Sequence, residues 1–217
     1  GDITFGVAGF TIDWTTISTT WSVGWWAIGG TDVETTVVPF SKTGTGSVGI
    51  TGAGFEPKAL VMITAFAAAD VDSAGGDNWR SVAFVDEAVA NRAIGTVSAD
   101  AQATTNNSHV HSNANAVAIR TASNSGAALA SAVTALDADG FTINFTQLNI
   151  SPSYFAALCI GGTGVLAAEA VEFTADTTAG AHTQTMGGLS FRPDVGMLIG
   201  ASDQAFGNGA HAHAGDA

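Results

Sequence analysis

The chain has 217 residues and a formal net charge of −13, with 6 Lys and Arg against 19 Asp and Glu. Hydrophobic residues make up 46% of the chain and charged residues 12%, whereas disordered chains have few hydrophobic and many charged residues. A chain of this length can also bury a sizeable core. Six cations are too few for a face that neutralises nucleic-acid phosphates, and the apolar run 59–69 is shorter than the roughly 20 residues that span a bilayer. We therefore expect a folded protein with no nucleic-acid partner and no membrane insertion.

The alternation of apolar and polar residues predicts β-strands. It begins in residues 10–15, whose apolar side chains share one face, and it returns in residues 141–146. The run 59–63 is apolar at every position and predicts a central strand of a packed sandwich. Residues 126–135 are rich in Ala, but their Thr, Ser and Gly content disfavours a helix.

Turn signals separate these segments at regular intervals. Gly-Gly pairs occur at 29–30, 75–76, 161–162 and 187–188. Several short strands with such turns predict an all-β fold, an antiparallel β-sandwich of jelly-roll-like type.

The chain also repeats itself, which indicates a tandem duplication. Four segments recur in the same order, at an offset that drifts by only a few residues: Gly9–Thr15 as Gly140–Thr146, Trp26–Val33 as Leu158–Val165, Val38–Phe40 as Val171–Phe173, and Gly54–Leu60 as Ser190–Gly196. We expect a first β-sandwich repeat in residues 1–139 and a second, incomplete repeat in residues 140–217.

The second repeat ends before a partner for the strand at 81–85 is reached. Two completions are open: residues 1–30 complete the second sheet, or the protein continues beyond residue 217. The chain begins at Gly1 rather than Met and shows no signal-peptide core, so we expect a trimmed, processed or partial chain.

Some of these segments carry a wider resemblance. Gly-Phe-Thr-Ile-Asp-Trp-Thr at 9–15 leads into Trp-Ala-Ile-Gly-Gly at 26–30. Gly-Ala-Gly-Phe-Glu-Pro-Lys-Ala-Leu-Val at 52–61 is followed by Ser-Val-Ala-Phe-Val at 81–85 and Arg-Ala at 92–93. These strings resemble the structural proteins of tailed-bacteriophage virions, in which a GFTLNW…LALGG strand pair alternates with a GxGFxPKAL strand.

The resemblance covers about residues 9–100 and 140–200 and rests on residues that set the fold. It implies a β-rich virion component, a tail, fibre or capsid-decoration protein, that works as a homo-oligomer together with other virion proteins. The chain departs from the pattern at Arg192-Pro193-Asp194 and in its His-containing segments. Because of these departures, the resemblance does not indicate which part of the virion the protein forms.

Two His-x-His pairs are candidate metal ligands, His109 with His111 and His211 with His213. Residues two apart on a strand share a face, so both imidazoles of a pair can reach one ion. Two ligands do not close a site, but three copies around a threefold axis would supply the six nitrogens of an octahedral transition-metal site. The alternative is that these are polar residues in loops rich in Asn, Ser and Ala.

A second candidate metal site is an acidic loop with Asp70, Asp72 and Asp77. Oxygen ligands at alternating positions followed by Gly are typical of Ca²⁺ loops. However, Ala74 stands at the next alternating position and Ser81 at the position of the bidentate Glu, so an acidic surface loop is the competing interpretation. We expect no other cofactor.

Nothing in the chain predicts an enzyme. It contains no Gly-x-Ser-x-Gly elbow, phosphate-binding Walker loop or His-Glu-x-x-His helix motif. The single Cys159 lies in the apolar run 155–160, which predicts a buried small side chain rather than a nucleophile. We therefore expect no catalytic residues.

Four Trp residues fall between positions 14 and 26. Alternation turns Trp14 and Trp26 inward, whereas Trp21 or Trp25 faces outward. Exposed, Trp21 and Trp25 would stack on the sugar rings of a host-surface glycan. Buried, they would belong to the core or to a subunit interface, where aromatic residues are enriched.

Two functions from different classes follow. The first is a structural component of a bacteriophage virion, located at the surface of the extracellular particle and acting through symmetric self-assembly. The second is a receptor- or glycan-binding β-sandwich module at a virion or cell surface.

Overall fold

The computed structural model describes residues 2–6, 9–13, 28, 30–65, 78–98, 106–120, 127–149, 153–172, 185, 187–193, 196–198 and 210–214. Every regular element in these ranges is a β-strand, which confirms the all-β prediction. No helix there is long and apolar enough to cross a membrane. The strands are β1 (Asp2–Gly6), β2 (Gly9–Asp13), β3 (Glu34–Lys42), β4 (Gly46–Thr51), β5 (Pro57–Ala65), β6 (Asn78–Val85), β7 (Asn91–Ser98), β8 (Asn106–Ser112), β9 (Val117–Arg120), β10 (Ala127–Asp137), β11 (Gly140–Leu148), β12 (Ser153–Gly161) and β13 (Ala210–Ala214).

Two antiparallel sheets form the sandwich. The large sheet has six strands in the order β8-β7-β6-β5-β12-β3, and β13 extends it at the β8 edge. The small sheet has the order β4-β11-β10-β9. Strands β1 and β2 form a separate two-stranded sheet. The predicted β-sandwich is thereby confirmed.

The core lies between the two sheets and is dominated by aromatic and branched side chains. Phe141, Ile143 and Phe145 of β11 are at most 1% exposed, as the alternation in this segment predicts. The ring of Phe145 lies 5.2 Å from that of Phe155 in β12, measured between ring centroids. Phe155 in turn stacks on Phe40 of β3 at 5.0 Å, so aromatic rings bridge the two layers.

Strand β5 occupies the interior of the large sheet, between β12 and β6, as its apolar run predicts. Only one of its faces is packed, however. Leu60 and Met62 are each 1% exposed, whereas Ile63 is 54% exposed. A two-layer sandwich covers a single face of each sheet, so the other apolar face of β5 points away from the core.

The two predicted repeats meet inside this sandwich. Strand β11, the first element after the boundary expected at residues 139 and 140, pairs with β4 and β10 in the small sheet. Strand β12 pairs with β3 and β5 in the large sheet. The tandem duplication itself stays a prediction, as do its boundaries.

The turn that precedes β5 contains two glycines with positive φ, Gly52 at 102° and Gly54 at 82°. Their backbone N–H groups donate to the carboxylate of Asp139, at 3.2 Å and 2.6 Å. Pro57 is the first residue of β5, where its fixed φ suits the entry to a strand. The glycines of the GxGFxPKAL-like segment therefore form a tight turn held by a carboxylate from the β10–β11 turn.

Candidate functional site

Several predicted site residues lie outside the described part of the chain. They are Trp21, Trp25, Asp70, Asp72 and Asp77. The glycan contact and the Ca²⁺ loop consequently stay predictions. The four histidines of the His-x-His pairs, in contrast, fall on described strands.

The two His-x-His pairs lie on neighbouring strands at one edge of the large sheet. His109 and His111 belong to β8, and His211 and His213 belong to β13. The backbone register pairs His211 directly with His109. The two His-x-His pairs, about a hundred residues apart in the chain, therefore lie side by side on neighbouring strands. The sequence patterns did not predict this pairing.

All four histidines occupy positions on the same face of the sheet. Directly opposed residues of an antiparallel pair share a face, and so do residues two apart on one strand. On the neighbouring strand β7, His111 is paired with Ile94, a position that alternates with the buried residues Ala93 and Gly95. The histidine positions thus belong to the outward face of the large sheet, away from the core.

A segment without regular secondary structure, residues 165–172, follows β12 and reaches this face. Its Ala170 N–H donates to the Oδ2 atom of Asp86 at 3.0 Å. Asp86 is 6% exposed and also accepts a hydrogen bond from Ala90 N–H at 2.8 Å. The segment then brings Glu172 to β8, where its Oε2 atom lies 3.6 Å from Nε2 of His111.

Glu169 connects the same segment to Ser190, a residue further along the chain. The hydroxyl and the backbone N–H of Ser190 both donate to its carboxylate. The side-chain hydrogen bond, followed by the backbone one, lowers the pKa of Glu169 below its ordinary value of 4.5. Glu172 and Glu169 carried no local sequence signal, because their partners are distant in the chain.

Among the side chains that the structure describes, no group of three or more His, Cys, Asp or Glu is arranged to hold a metal ion. Within that set, His111 and Glu172 are a two-residue cluster at the histidine edge. Cys159 is fully buried, which confirms its predicted burial, and desolvation raises the pKa of its thiol to about 11. A thiol in this state is a poor nucleophile.

The opposite half of the large sheet presents a second feature, which we call the uncharged outer face. It consists of the outward positions of three adjacent strands: Thr35, Val37, Pro39 and Ser41 of β3, Tyr154, Ala156, Leu158 and Ile160 of β12, and Ala59, Val61 and Ile63 of β5. Val37 is 60% exposed and Ile63 is 54% exposed. Large apolar side chains at this exposure on one patch mark an interaction surface.

Comparison of the chain with protein-family models, with curated proteins and with solved structures gave no significant match.

Proposed function

We propose that the protein is a structural component of a bacteriophage virion that acts through symmetric self-assembly. The observation that carries this proposal is the uncharged outer face of the large sheet. The partners of the protein are further copies of the same chain and other virion proteins, and the protein lies at the surface of the particle.

The register supports a continuous apolar patch on this face. Leu158 of β12 is paired with Val37 of β3 on one side and with Val61 of β5 on the other. The next row along the strands contains Ile63, which is paired with Ala156. Burying such rows against a partner is favourable by about 25 cal/mol for each Å² of apolar surface removed from water.

The charge distribution favours a second copy of this chain as the occupant. A net charge of −13 makes two copies repel each other wherever their acidic surfaces meet. The outward positions of β3, β12 and β5 carry no charged residue, so two copies can meet there without that repulsion. Face-to-face contact between identical patches gives a closed twofold interface, the commonest symmetry of homo-oligomers.

The assignment to a virion rests on the resemblance of residues 9–100 and 140–200 to phage structural proteins.

The oligomeric state tests the proposal. Size-exclusion chromatography with light scattering, together with intact-chain mass spectrometry, should give discrete oligomers of one chain type. Because one twofold interface closes on itself, the smallest species expected is a dimer of this chain. A clean monomer at micromolar concentration would overturn the proposal.

Two variants locate the contact. The double change Val37→Lys and Ile63→Lys places charges in the uncharged outer face and should reduce the oligomer to smaller species. Thr146→Lys is the matched control, because Thr146 is an exposed residue of β11 in the small sheet. Thermal unfolding of each variant should stay close to that of the parent chain. Equal dissociation by the control would contradict the assigned face.

A further inference from the structure

We propose that the twofold axis of the self-contact runs parallel to β12, so that β3 of one copy packs over β5 of the second copy. This inference rests on the self-assembly proposed above and specifies which parts of the two sheets meet. The juxtaposition that carries it lies on the outward side of the large sheet. The uncharged outer face occupies β3, β12 and β5, whereas charged side chains and the 165–172 segment occupy β6, β7 and β8.

Aligned packing of two sheets allows two orientations of the axis. An axis that brings the same face of two copies together lies in the plane between them, and aligned strands differ in direction by about 30° or less. The axis is then either perpendicular or parallel to the strands. A perpendicular axis places each strand over its own copy, so β6, β7 and β8 join the contact. A parallel axis through β12 exchanges β3 with β5 and leaves β6, β7 and β8 outside.

The 165–172 segment obstructs the perpendicular orientation. It is hydrogen-bonded to Asp86, which directly follows β6, and its Glu172 reaches His111 on the outward side of β8. Arg92 of β7 lies between these two anchors, and its Nε atom is buried although the residue occupies an outward position. Sheets packed face to face are about 10 Å apart, and their side chains fill that gap. Two added backbone segments, one from each copy, do not fit in it.

The charges of the outward side favour the parallel orientation as well. Arg80 of β6 and Arg92 of β7 occupy outward positions, as their register with β5 shows. Glu172 adds an exposed carboxylate next to His111 of β8. A perpendicular axis would remove these charges from water against the same part of the second copy, which is costly without matched partners. The parallel axis buries uncharged positions and leaves the charges in solvent.

The strand register then specifies which side chains meet. Leu158 of β12 lies on the axis and faces Leu158 of the second copy. Val37 and Val61 flank Leu158 on its two sides, so Val37 of one copy faces Val61 of the other. In the next row, Ile63 faces Pro39 of the second copy in the same way. Val37 and Ile63, which are 60% and 54% exposed in the single chain, are thereby covered by apolar side chains.

The test is cross-linking of the full chain with a bismaleimide that spans about 10 Å, the separation of packed sheets. The native thiol of Cys159 is fully buried, so an introduced cysteine is the reactive one. Leu158→Cys should give covalent dimers by itself. Co-expressed Val37→Cys and Val61→Cys chains should give mixed dimers, identified by mass spectrometry of the linked peptides. Val37→Cys alone should give none, because two strand spacings, about 9.6 Å, add to the gap between the sheets.

Thr96→Cys is the matched control, since Thr96 is an outward position of β7 and lies outside the contact. It should give no covalent dimers, and light scattering should show that every variant keeps the oligomeric state of the parent chain. Covalent dimers from Thr96→Cys, or from Val37→Cys alone, would overturn the parallel axis and leave the self-assembly standing. Dimers in solution without cross-links at Leu158→Cys would overturn both the axis and the assigned face. A monomeric parent chain would overturn the proposed function itself.

Discussion

The side-chain amide of Asn91 forms two hydrogen bonds with the backbone of Val133 and so joins the two sheets. The N–H of Val133 donates to Oδ1 at 2.9 Å, and Nδ2 donates to the carbonyl of Val133 at 3.1 Å. Asn91 begins β7 in the large sheet, whereas Val133 lies in β10 of the small sheet. The pairing of β10 with β9 ends at Ser131, so the amide supplies the partners that a longer β9 would have supplied.

Asn91→Ala should therefore destabilise the fold strongly. It leaves a buried N–H and a buried carbonyl without these partners, at about 1–3 kcal/mol for each group, and we expect a total loss of about 2–4 kcal/mol. Urea unfolding measures the difference. Ser47→Ala, which removes an exposed hydroxyl that donates to Asn144, is the control and should cost less than about 0.5 kcal/mol. Equal midpoints for the two variants would show that the amide does not join the layers.

Gly95 is required for the close approach of β7 to β9. A Cβ atom at this position would lie 1.7 Å from the carbonyl oxygen of Ala118, a distance that neither backbone can accept without moving. We expect Gly95→Ala to cost about 3 kcal/mol or more in the free energy of unfolding. Gly49→Ala provides the comparison, because nothing lies within 4 Å of its Cβ position on the exposed side of β4. That variant should be neutral or slightly stabilising, and a loss similar to that of Gly95→Ala would refute the steric explanation.

The buried thiol of Cys159 should make the protein sensitive to alkaline pH. Burial raises its pKa from 9.0 to about 11, so between these values the unfolded chain releases a proton that the folded chain keeps. The contribution of this thiol to stability is complete below pH 9 and is lost as the pH rises toward 11, by about 2–3 kcal/mol in total. Cys159→Ala should flatten this part of the pH profile of unfolding. An unchanged slope in the variant would contradict the shift.

The Glu169–Ser190 contact should act in the opposite pH range. Its hydrogen bonds lower the pKa of the Glu169 carboxyl, so their contribution to stability is present above the ordinary value of 4.5 and is lost as the pH falls below it. Ser190→Ala removes the hydroxyl donor and leaves the backbone N–H in place. We expect the pKa of Glu169, followed by NMR of its side-chain carboxyl carbon, to rise part of the way toward 4.5. An unshifted titration would rule out the hydroxyl as the main cause.

The elements that follow from local patterns were predictable. The alternation at 141–146 indicated a strand with one buried face, and Phe141, Ile143 and Phe145 are that face. The composition of the Ala-rich segment at 126–135 disfavoured a helix, and residues 127–135 lie in β10. In both cases residues within one strand carry the information, because side chains alternate along it whatever its partner is.

The features that position the candidate site depend on which strands meet, and the sequence patterns do not contain that information. The two His-x-His pairs were recognised, but their alignment at His109 and His211 follows from the register of β8 with β13. Glu172 becomes a neighbour of His111 through the 165–172 segment, which is attached at Asp86. Likewise, the exposure of Ile63 follows from the number of layers, which an apolar run does not specify.

The position of β12 has a consequence for how the protein is made. It is inserted between β3 and β5, which precede it by about a hundred residues, so both strands leave the ribosome well before the strand that pairs them. Until residues 153–161 are synthesised, the facing edges of β3 and β5 present unpaired backbone groups, the surfaces through which strands of different chains associate. Completion of the large sheet therefore waits for the synthesis of β12. Yield in the cell should depend on how quickly translation reaches β12 and on the chaperones that shield the open edges before then.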